Sequence, residues 1–150
     1  MYYLILNGPN LNLLGRRNPD IYGSDTFEDT LDRIREDFAD ERIEYAQSNS
    51  EGELIDHLHR HGFNPECGGI VINPGAYAHY SIAIADAIET IPAPVIEVHI
   101  SNIHAREDFR RTSVTARAAR GLIAGLGRDG YALAILALIR ASLQDKPVKP

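Results

Sequence analysis

Short apolar runs alternate along this chain with stretches in which apolar residues recur at helical spacing, and this alternation limits the folds available to it. The runs have the length of strands: Tyr2–Leu6, Ile43–Gln47, Gly69–Ile72, Val95–Val98 and Gly121–Ala124. Apart from the second, which is more polar, they are nearly continuous in apolar residues, as is typical of parallel strands buried on both faces. The pattern predicts an α/β fold in which helices cover both faces of an open, five-stranded parallel sheet.

Stretches with helical periodicity lie between most of these strands and after the last one. The first helix carries its apolar residues on one face: Phe27, Leu31, Ile34 and Phe38. Asp25 and Glu28, three residues apart, are predicted to form its N-terminal capping pair. Further helices are predicted around residues 54–58, 82–88 and 129–143.

The rules for connecting parallel strands reduce the choice of topology. Right-handed crossovers favour the flavodoxin-like strand order 2-1-3-4-5. The polarity of the second strand predicts that it lies at an edge of the sheet. The 150 residues fit one flavodoxin-like domain over 1–150, with a Pro-containing tail at 146–150 that we expect to be flexible.

Charge and cysteine content exclude several classes of function. The formal net charge of −6 argues against nucleic-acid binding, which needs a basic stripe. No apolar run approaches the roughly 20 residues that span a bilayer, so we expect no membrane partner. Cys67 is the only cysteine, which rules out an internal disulfide and a Cys-based zinc site. Because no export signal precedes the first strand, we expect a cytoplasmic protein.

The ends of the predicted strands carry polar residues of a particular kind. Ligands of open α/β sheets bind at the carboxyl ends of the strands. The residues there are amides, hydroxyls and imidazoles rather than carboxylates: Asn7, Asn10, Asn12, Ser48, Asn49, Asn73, His79, His99, Ser101 and Asn102. A phosphoacceptor domain would need acidic residues where Asn7 and Asn73 stand. The long connection over 7–24 is typical of a loop that binds or covers a ligand.

Residues 125–130 match the pattern G-x-G-x-x-G between a strand and a helix. The dinucleotide-binding fingerprint also needs an acidic residue about 20 residues later on a following strand, and we expect no such strand here. We therefore interpret the glycines as a tight turn that lets the last helix pack closely, and we expect no cofactor.

Four stretches occur in a fixed order and spacing. They are residues 6–15 (LNGPNLNLLG), 20–23 (DIYG), 73–81 (NPGAYAHYS) and 97–111 (EVHISNIHAREDFRR). Together they resemble the type II 3-dehydroquinate dehydratases, in register from Leu6 to Gly130. The resemblance implies an anti elimination of water from 3-dehydroquinate through an enolate, without a metal. Ala78 departs from the family pattern, which has threonine there.

The resemblance implies catalytic roles for five residues. Tyr22 matches the base, and Arg17 in the same loop would favour its phenolate, because a nearby cation lowers the pKa of about 10 that a free tyrosine has. His99 matches the acid that protonates the departing hydroxyl, for which an imidazole is suited. Glu97 lies on the same strand face as His99 and would orient it. Asn10 matches the residue that directs a water or donor toward the enolate oxygen.

The resemblance also implies a substrate site. Asn73, Ser101 and the backbone N–H of Ile100 match a cradle for the substrate carboxylate, which hydrogen-bond donors can hold without a metal. His79 and Arg110 match residues that bind the ring hydroxyls. The partner of the protein is thus a small molecule, 3-dehydroquinate.

Asp86 matches a residue that a neighbouring subunit contributes, in a dodecamer built as a tetramer of trimers. Taken alone, Asp86 is interpreted as part of a solvated helix face.

Two other interpretations of the function stay open: a binding module that has lost the chemistry, and a lyase for a related cyclic hydroxy acid. The first would lack Tyr22, Arg17 or His99, and all three are present. The sequence leaves open whether the reaction serves the shikimate pathway and aromatic amino acid biosynthesis or quinate breakdown.

Overall fold

The computed structural model describes residues 1–16, 20 and 24–144 of the chain. Its sheet has five strands: β1 Tyr2–Asn7, β2 Arg42–Gln47, β3 Cys67–Asn73, β4 Val95–His99 and β5 Gly121–Ala124. They lie in the order β2-β1-β3-β4-β5, and each neighbouring pair is parallel. The predicted flavodoxin-like topology is confirmed, and the polar β2 lies at an edge, as predicted.

Helices pack on both faces of this sheet. They are α1 Phe27–Asp37, α2 Glu51–Gly62, α3 Ile82–Thr90 and α4 Asp129–Gln144. Side chains alternate between the two faces of a strand. Tyr3 and Ile5 of β1 therefore pack with α1 and α4, while Leu4 of β1 packs with α2 and α3. No helix in the described part of the chain is long and apolar enough to cross a membrane.

The N-terminus of α1 differs from the prediction. Thr26 is the N-cap: its Oγ1 accepts a hydrogen bond from Asp29 N at 3.3 Å, and Asp29 Oδ2 accepts one from Thr26 N at 2.9 Å. The predicted pair of Asp25 and Glu28 is wrong by one residue, because threonine followed three residues later by a carboxylate forms a complete capping box. Asp25 instead forms an ion pair with Arg33.

The glycine-rich turn between β5 and α4 has the role that was predicted. Gly125 and Gly127 have φ angles of +85° and +60°, in the left-handed region that favours glycine. A methyl group at Gly130 would lie 3.2 Å from Val98 Cγ1. The prediction of a tight turn with close helix packing is confirmed.

A close approach of two loops brings the ends of β1 and β3 together. The N–H of Gly8 donates to Asn73 O at 2.7 Å. A methyl group at Gly8 would lie 2.6 Å from the backbone carbonyl of Pro74, so only glycine permits this contact. The loop after β1 is thereby held against the loop after β3.

Candidate active site

A cavity of about 210 Å³ lies where β1, β3 and β4 end. Seven of the predicted site residues line it: Asn10, Asn73, His79, His99, Ile100, Ser101 and Arg110. These residues come from the ends of β3 and β4 and from the connections that follow β1, β3 and β4, and the parallel sheet places the three strand ends side by side. The polar residues therefore meet at the carboxyl ends of the strands, where the sequence predicted the site.

Two of the four other predicted residues, Glu97 and Asp86, do not line the cavity. Glu97 lies behind His99 and is completely buried. Asp86 is exposed on α3 and does not line the cavity. Arg17 and Tyr22 lie outside the described residues.

The loop after β1 holds Asn10 in an unusual backbone conformation. Asn10 has a φ of 69°, in the left-handed region that asparagine tolerates better than most residues. Its N–H donates to Asn49 Oδ1 at 3.0 Å, which ties this loop to the end of β2. The loop also supplies the apolar part of the cavity wall through Leu11, Leu13 and Leu14. Sequence reasoning did not identify these leucines as site residues, because their spacing resembles that of core residues.

His99 ends β4 and is paired with Glu97. Its Nε2 lies 2.6 Å from Glu97 Oε1. A carboxylate can only accept a hydrogen bond, so Nε2 carries a proton and Nδ1 is the nitrogen left for the cavity. The pair therefore fixes which ring nitrogen meets a bound molecule.

Glu97 is held by hydroxyls that sequence reasoning missed. Ser113 Oγ donates to Glu97 Oε1 and Thr115 Oγ1 donates to Glu97 Oε2, both at 2.6 Å. All three side chains are buried. A buried carboxylate is costly unless it is well paired, and these donors supply the pairing.

His79 is oriented by a backbone carbonyl. Its Nδ1 lies 2.9 Å from Thr112 O, and because a carbonyl oxygen only accepts, Nδ1 carries the proton. The Nε2 atom of the neutral ring is then free to accept a hydrogen bond. The His79 and His99 rings lie 6.2 Å apart with an interplanar angle of 26°, so both imidazoles serve the same small space.

Asn73 belongs to a chain of buried hydrogen bonds. Its Nδ2 donates to Tyr131 Oη at 2.8 Å, and Tyr131 Oη donates to Asn7 Oδ1 at 2.9 Å. Its Oδ1 accepts from Gly75 N at 3.1 Å. Burial raises the pKa of Tyr131, which keeps the phenol protonated and able to donate. The amide of Asn73 is thus fixed in one orientation, with one N–H not used by Tyr131.

The turn after β5 holds the segment that follows His99. The N–H of Gly125 donates to His99 O at 3.2 Å, and the N–H of Gly127 donates to Ile100 O at 3.0 Å. These bonds keep Ile100 and Ser101 at the cavity wall. Glycines that resemble a cofactor motif therefore support the candidate site from behind.

Two arginines give the cavity a positive side. Arg110 Nε lies 3.1 Å from Glu107 Oε2 without the alignment of a hydrogen bond, and its guanidinium lies 5.1 Å from the centre of the Phe109 ring. Arg106 Nε lies 3.7 Å from the same Glu107 oxygen. Arg106 also lines the cavity, which was not predicted. Both guanidiniums favour an anionic ligand.

Comparison with known proteins identifies the family of this chain. The profile of the family described as Dehydroquinase class II matches residues 1–139. A 3-dehydroquinate dehydratase of Thermotoga neapolitana is 54% identical over 138 residues, which cover 90% of this chain and 92% of that protein.

Solved structures give the same result. A type II dehydroquinase from Butyrivibrio crossotus matches with a TM-score of 0.88 and 46% identity, over 93% of this chain and 97% of that one. One from Propionibacterium acnes matches with a TM-score of 0.85 and 45% identity, over 95% and 96% of the two chains. The fold, the cavity and these similarities together lead to one conclusion: the chain belongs to the class II dehydroquinase family.

Proposed function

We propose that this protein is a type II 3-dehydroquinate dehydratase, which removes water from 3-dehydroquinate by anti elimination through an enolate and yields 3-dehydroshikimate. The observation that best supports this proposal is the orientation of His99 in the cavity. His99 stands in the cavity with its Nε2 proton directed at the buried Glu97 and with Nδ1 left for a ligand. In the imidazolium form, Nε2–H stays on Glu97 while Nδ1–H faces the cavity, so His99 can act as an acid that protonates a departing hydroxyl from one defined atom.

The substrate carboxylate is proposed to bind at Asn73, Ser101 and the backbone N–H of Ile100. The geometry of Asn73 supports this role, because hydrogen bonds fix the orientation of its amide. Only one of the two Nδ2 hydrogens is used by Tyr131, so the other can donate to a carboxylate. A carboxylate is an acceptor only, so donors around it match its chemistry. The arginine side of the cavity adds attraction for the negative charge.

The ring hydroxyls are proposed to meet His79 and Arg110. The Nε2 atom of neutral His79 can accept a hydrogen bond, and the Arg110 guanidinium can donate one. A ring hydroxyl can therefore donate to His79 and accept from Arg110. Asn10 is proposed to direct a water or donor toward the enolate oxygen, where negative charge develops. Donors placed at such a point stabilise the intermediate.

Tyr22 is proposed as the base and Arg17 as the cation that favours its phenolate. Both lie outside the described residues, and the assignment rests on their match to the family motif. The step needs a base of moderated proton affinity next to the carbon that carries the acidic proton. Removing that proton creates the enolate. Imidazolium His99 then gives its Nδ1 proton to the departing hydroxyl, which leaves as water, and the ring remains neutral with Nε2–H on Glu97.

We also propose that the chain forms one catalytic domain over 1–150 and acts in the cytoplasm as a dodecamer, a tetramer of trimers. Asp86 would reach the site of a neighbouring subunit. Its exposure on α3, away from the cavity of its own chain, is compatible with that role.

The first test is to mix the purified protein with 3-dehydroquinate in the presence of a chelator and to follow the absorbance of the conjugated enone product. Formation of 3-dehydroshikimate at an enzymatic rate is expected. Absence of product from folded protein would contradict the proposal. Turnover of a related cyclic hydroxy acid in the same assay would move the assignment to a lyase of different specificity.

A further inference from the structure

The segment that follows Arg106 and Arg110 helps to orient both histidines of the cavity, His79 and His99. Thr112 O accepts the hydrogen bond of His79 Nδ1. Ser113 and Thr115, in the same segment, donate to Glu97, which in turn accepts from His99. The segment 112–115 therefore touches each histidine directly or through one carboxylate.

This segment is itself anchored to the site. The N–H of Val114 donates to Ala78 O at 2.7 Å, one residue before His79. Ser113 Oγ accepts from Ala116 N at 3.0 Å and lies 3.2 Å from Thr115 Oγ1. The two hydroxyls are thus fixed by their surroundings before any ligand binds.

The two carboxylate oxygens of Glu97 accept different numbers of hydrogen bonds. Oε1 accepts from both His99 Nε2 and Ser113 Oγ. Oε2 accepts only from Thr115 Oγ1 among the described residues. Because the side chain is 0% exposed, bulk solvent does not reach Oε2 to supply a donor there. Loss of the Thr115 hydroxyl would leave Oε2 buried and unpaired, which a carboxylate avoids by turning toward another donor.

We propose that Ser113 and Thr115 are positioning residues that keep the Glu97 carboxylate correctly turned, so that His99 holds its proton on Nε2 and presents Nδ1 to the substrate. Neither residue lines the cavity, so both act through Glu97. The step from His99 orientation to turnover rests on the proposed function. The orientation itself is a property of the protein without substrate.

A pair of substitutions separates the hydroxyl from the shape of the side chain. Thr115→Val keeps the shape and removes the hydroxyl, while Thr115→Ser keeps the hydroxyl and removes a methyl group. In protein with ¹⁵N-labelled histidine and no substrate, the His99 signals are assigned by their loss in His99→Gln. The unaltered protein is expected to show neutral His99 as the Nε2–H tautomer alone.

In Thr115→Val, the Nδ1–H tautomer of His99 is expected to appear, because a turned Glu97 no longer accepts from Nε2. We expect kcat to fall by about 10- to 100-fold, as when the partner that orients a functional side chain is lost, with a much smaller change in KM. Thr115→Ser is expected to keep both the spectrum and the turnover of the unaltered protein.

Three results would overturn the proposal: an unchanged His99 spectrum in Thr115→Val, unchanged turnover in that variant, or an equal loss in Thr115→Ser. If Thr115→Val does not fold, Ser113→Ala provides the measurement. It leaves Oε1 bonded to His99, so a smaller change of the same kind is expected, and an unchanged spectrum there also overturns the proposal. A protein without turnover of 3-dehydroquinate would refute the proposed function and leave the spectroscopic result standing.

Discussion

His99 and Glu97 project from the same face of β4, with His99 Nε2 2.6 Å from Glu97 Oε1. Side chains two residues apart on a strand point the same way, so the backbone of a buried strand aligns the pair without help from a flexible loop. The carboxylate is fully buried while the imidazole reaches the cavity. The orientation of the proposed acid is therefore a property of the strand.

Glu97→Gln tests this alignment. Glutamine keeps the shape of the side chain but loses the charge, and its amide can turn an N–H toward His99 Nε2. We expect kcat to fall by about 10- to 100-fold, by analogy with other residues that orient a functional side chain. KM should change little, because Glu97 does not line the cavity. Steady-state kinetics with 3-dehydroquinate measure both, and a kcat equal to that of the unaltered protein would refute the orienting role.

Tyr131→Phe tests the hydrogen-bond chain behind Asn73. The change leaves Asn73 Nδ2 and Asn7 Oδ1 without their buried partner, so we expect the free energy of unfolding to fall by about 1–3 kcal/mol. It also frees the Asn73 amide to turn, so KM should rise more than kcat falls. Denaturant unfolding and steady-state kinetics check the two effects.

Tyr3→Phe is the matched control for that change. Tyr3 is a buried tyrosine of the same core cluster as Tyr131, but its hydroxyl lies 3.2 Å from Ser142 Oγ and it does not line the cavity. The control should leave KM as it is. An equal rise of KM in both variants would mean that the packing of the core cluster, and not the Tyr131 hydroxyl, governs substrate binding.

The sequence predicted the parts of the fold and site that depend on local pattern. Continuous apolar runs mark the buried strands, and the polar residues after β1, β3 and β4 do converge on one cavity. Asn73 and His99 could be placed there because strand ends define one edge of a parallel sheet. The N-cap of α1 was wrong by one residue, since Asp25 and Thr26 are both good N-caps and only the backbone decides between them.

The hydroxyl and phenol partners could not be predicted, because they lie far along the chain from the residues they hold. Ser113 and Thr115 are 16 and 18 residues from Glu97, in a connection without periodicity. Tyr131 is 58 residues from Asn73 and lies among the apolar residues of α4, where it resembles an ordinary core aromatic. Only the tertiary structure brings these groups together.

Tyr22→Phe tests the proposed base. Phenylalanine fills nearly the same volume but has no oxygen to accept a proton, so turnover should be abolished while substrate binding stays nearly intact. Steady-state kinetics and calorimetric titration with 3-dehydroquinate separate the two. Near-normal turnover would remove Tyr22 from the role of base.

Asp86→Ala tests the shared site. If a neighbouring subunit contributes this carboxylate, substrate binding should weaken, although Asp86 does not line the cavity of its own chain. Binding affinity and the mass of the assembly in solution are measured together. A variant that remained assembled and bound substrate as before would contradict the proposed contribution across the interface.

His61 links stability to pH at the opposite end of the sheet. Burial lowers its pKa from the ordinary value of 6.5, with Glu44 partly opposing this effect. Tyr2, whose pKa is raised to about 12 chiefly by burial, remains a phenol near neutral pH, and its Oη lies 2.9 Å from His61 Nδ1.

Because the folded-state pKa of His61 lies below the unfolded value, the unfolded chain binds more protons as the pH falls below about 6.5. The contribution of His61 to stability is therefore complete above that pH and is lost as the pH falls through the folded-state pKa. Denaturant unfolding between pH 7 and pH 5 should show a smaller decrease in unfolding free energy for His61→Gln than for the unaltered protein. The same substitution at the exposed His59 on α2 is the control and should leave the slope as it was. Parallel curves for His61→Gln and the unaltered protein would mean that other groups account for the pH dependence in this range.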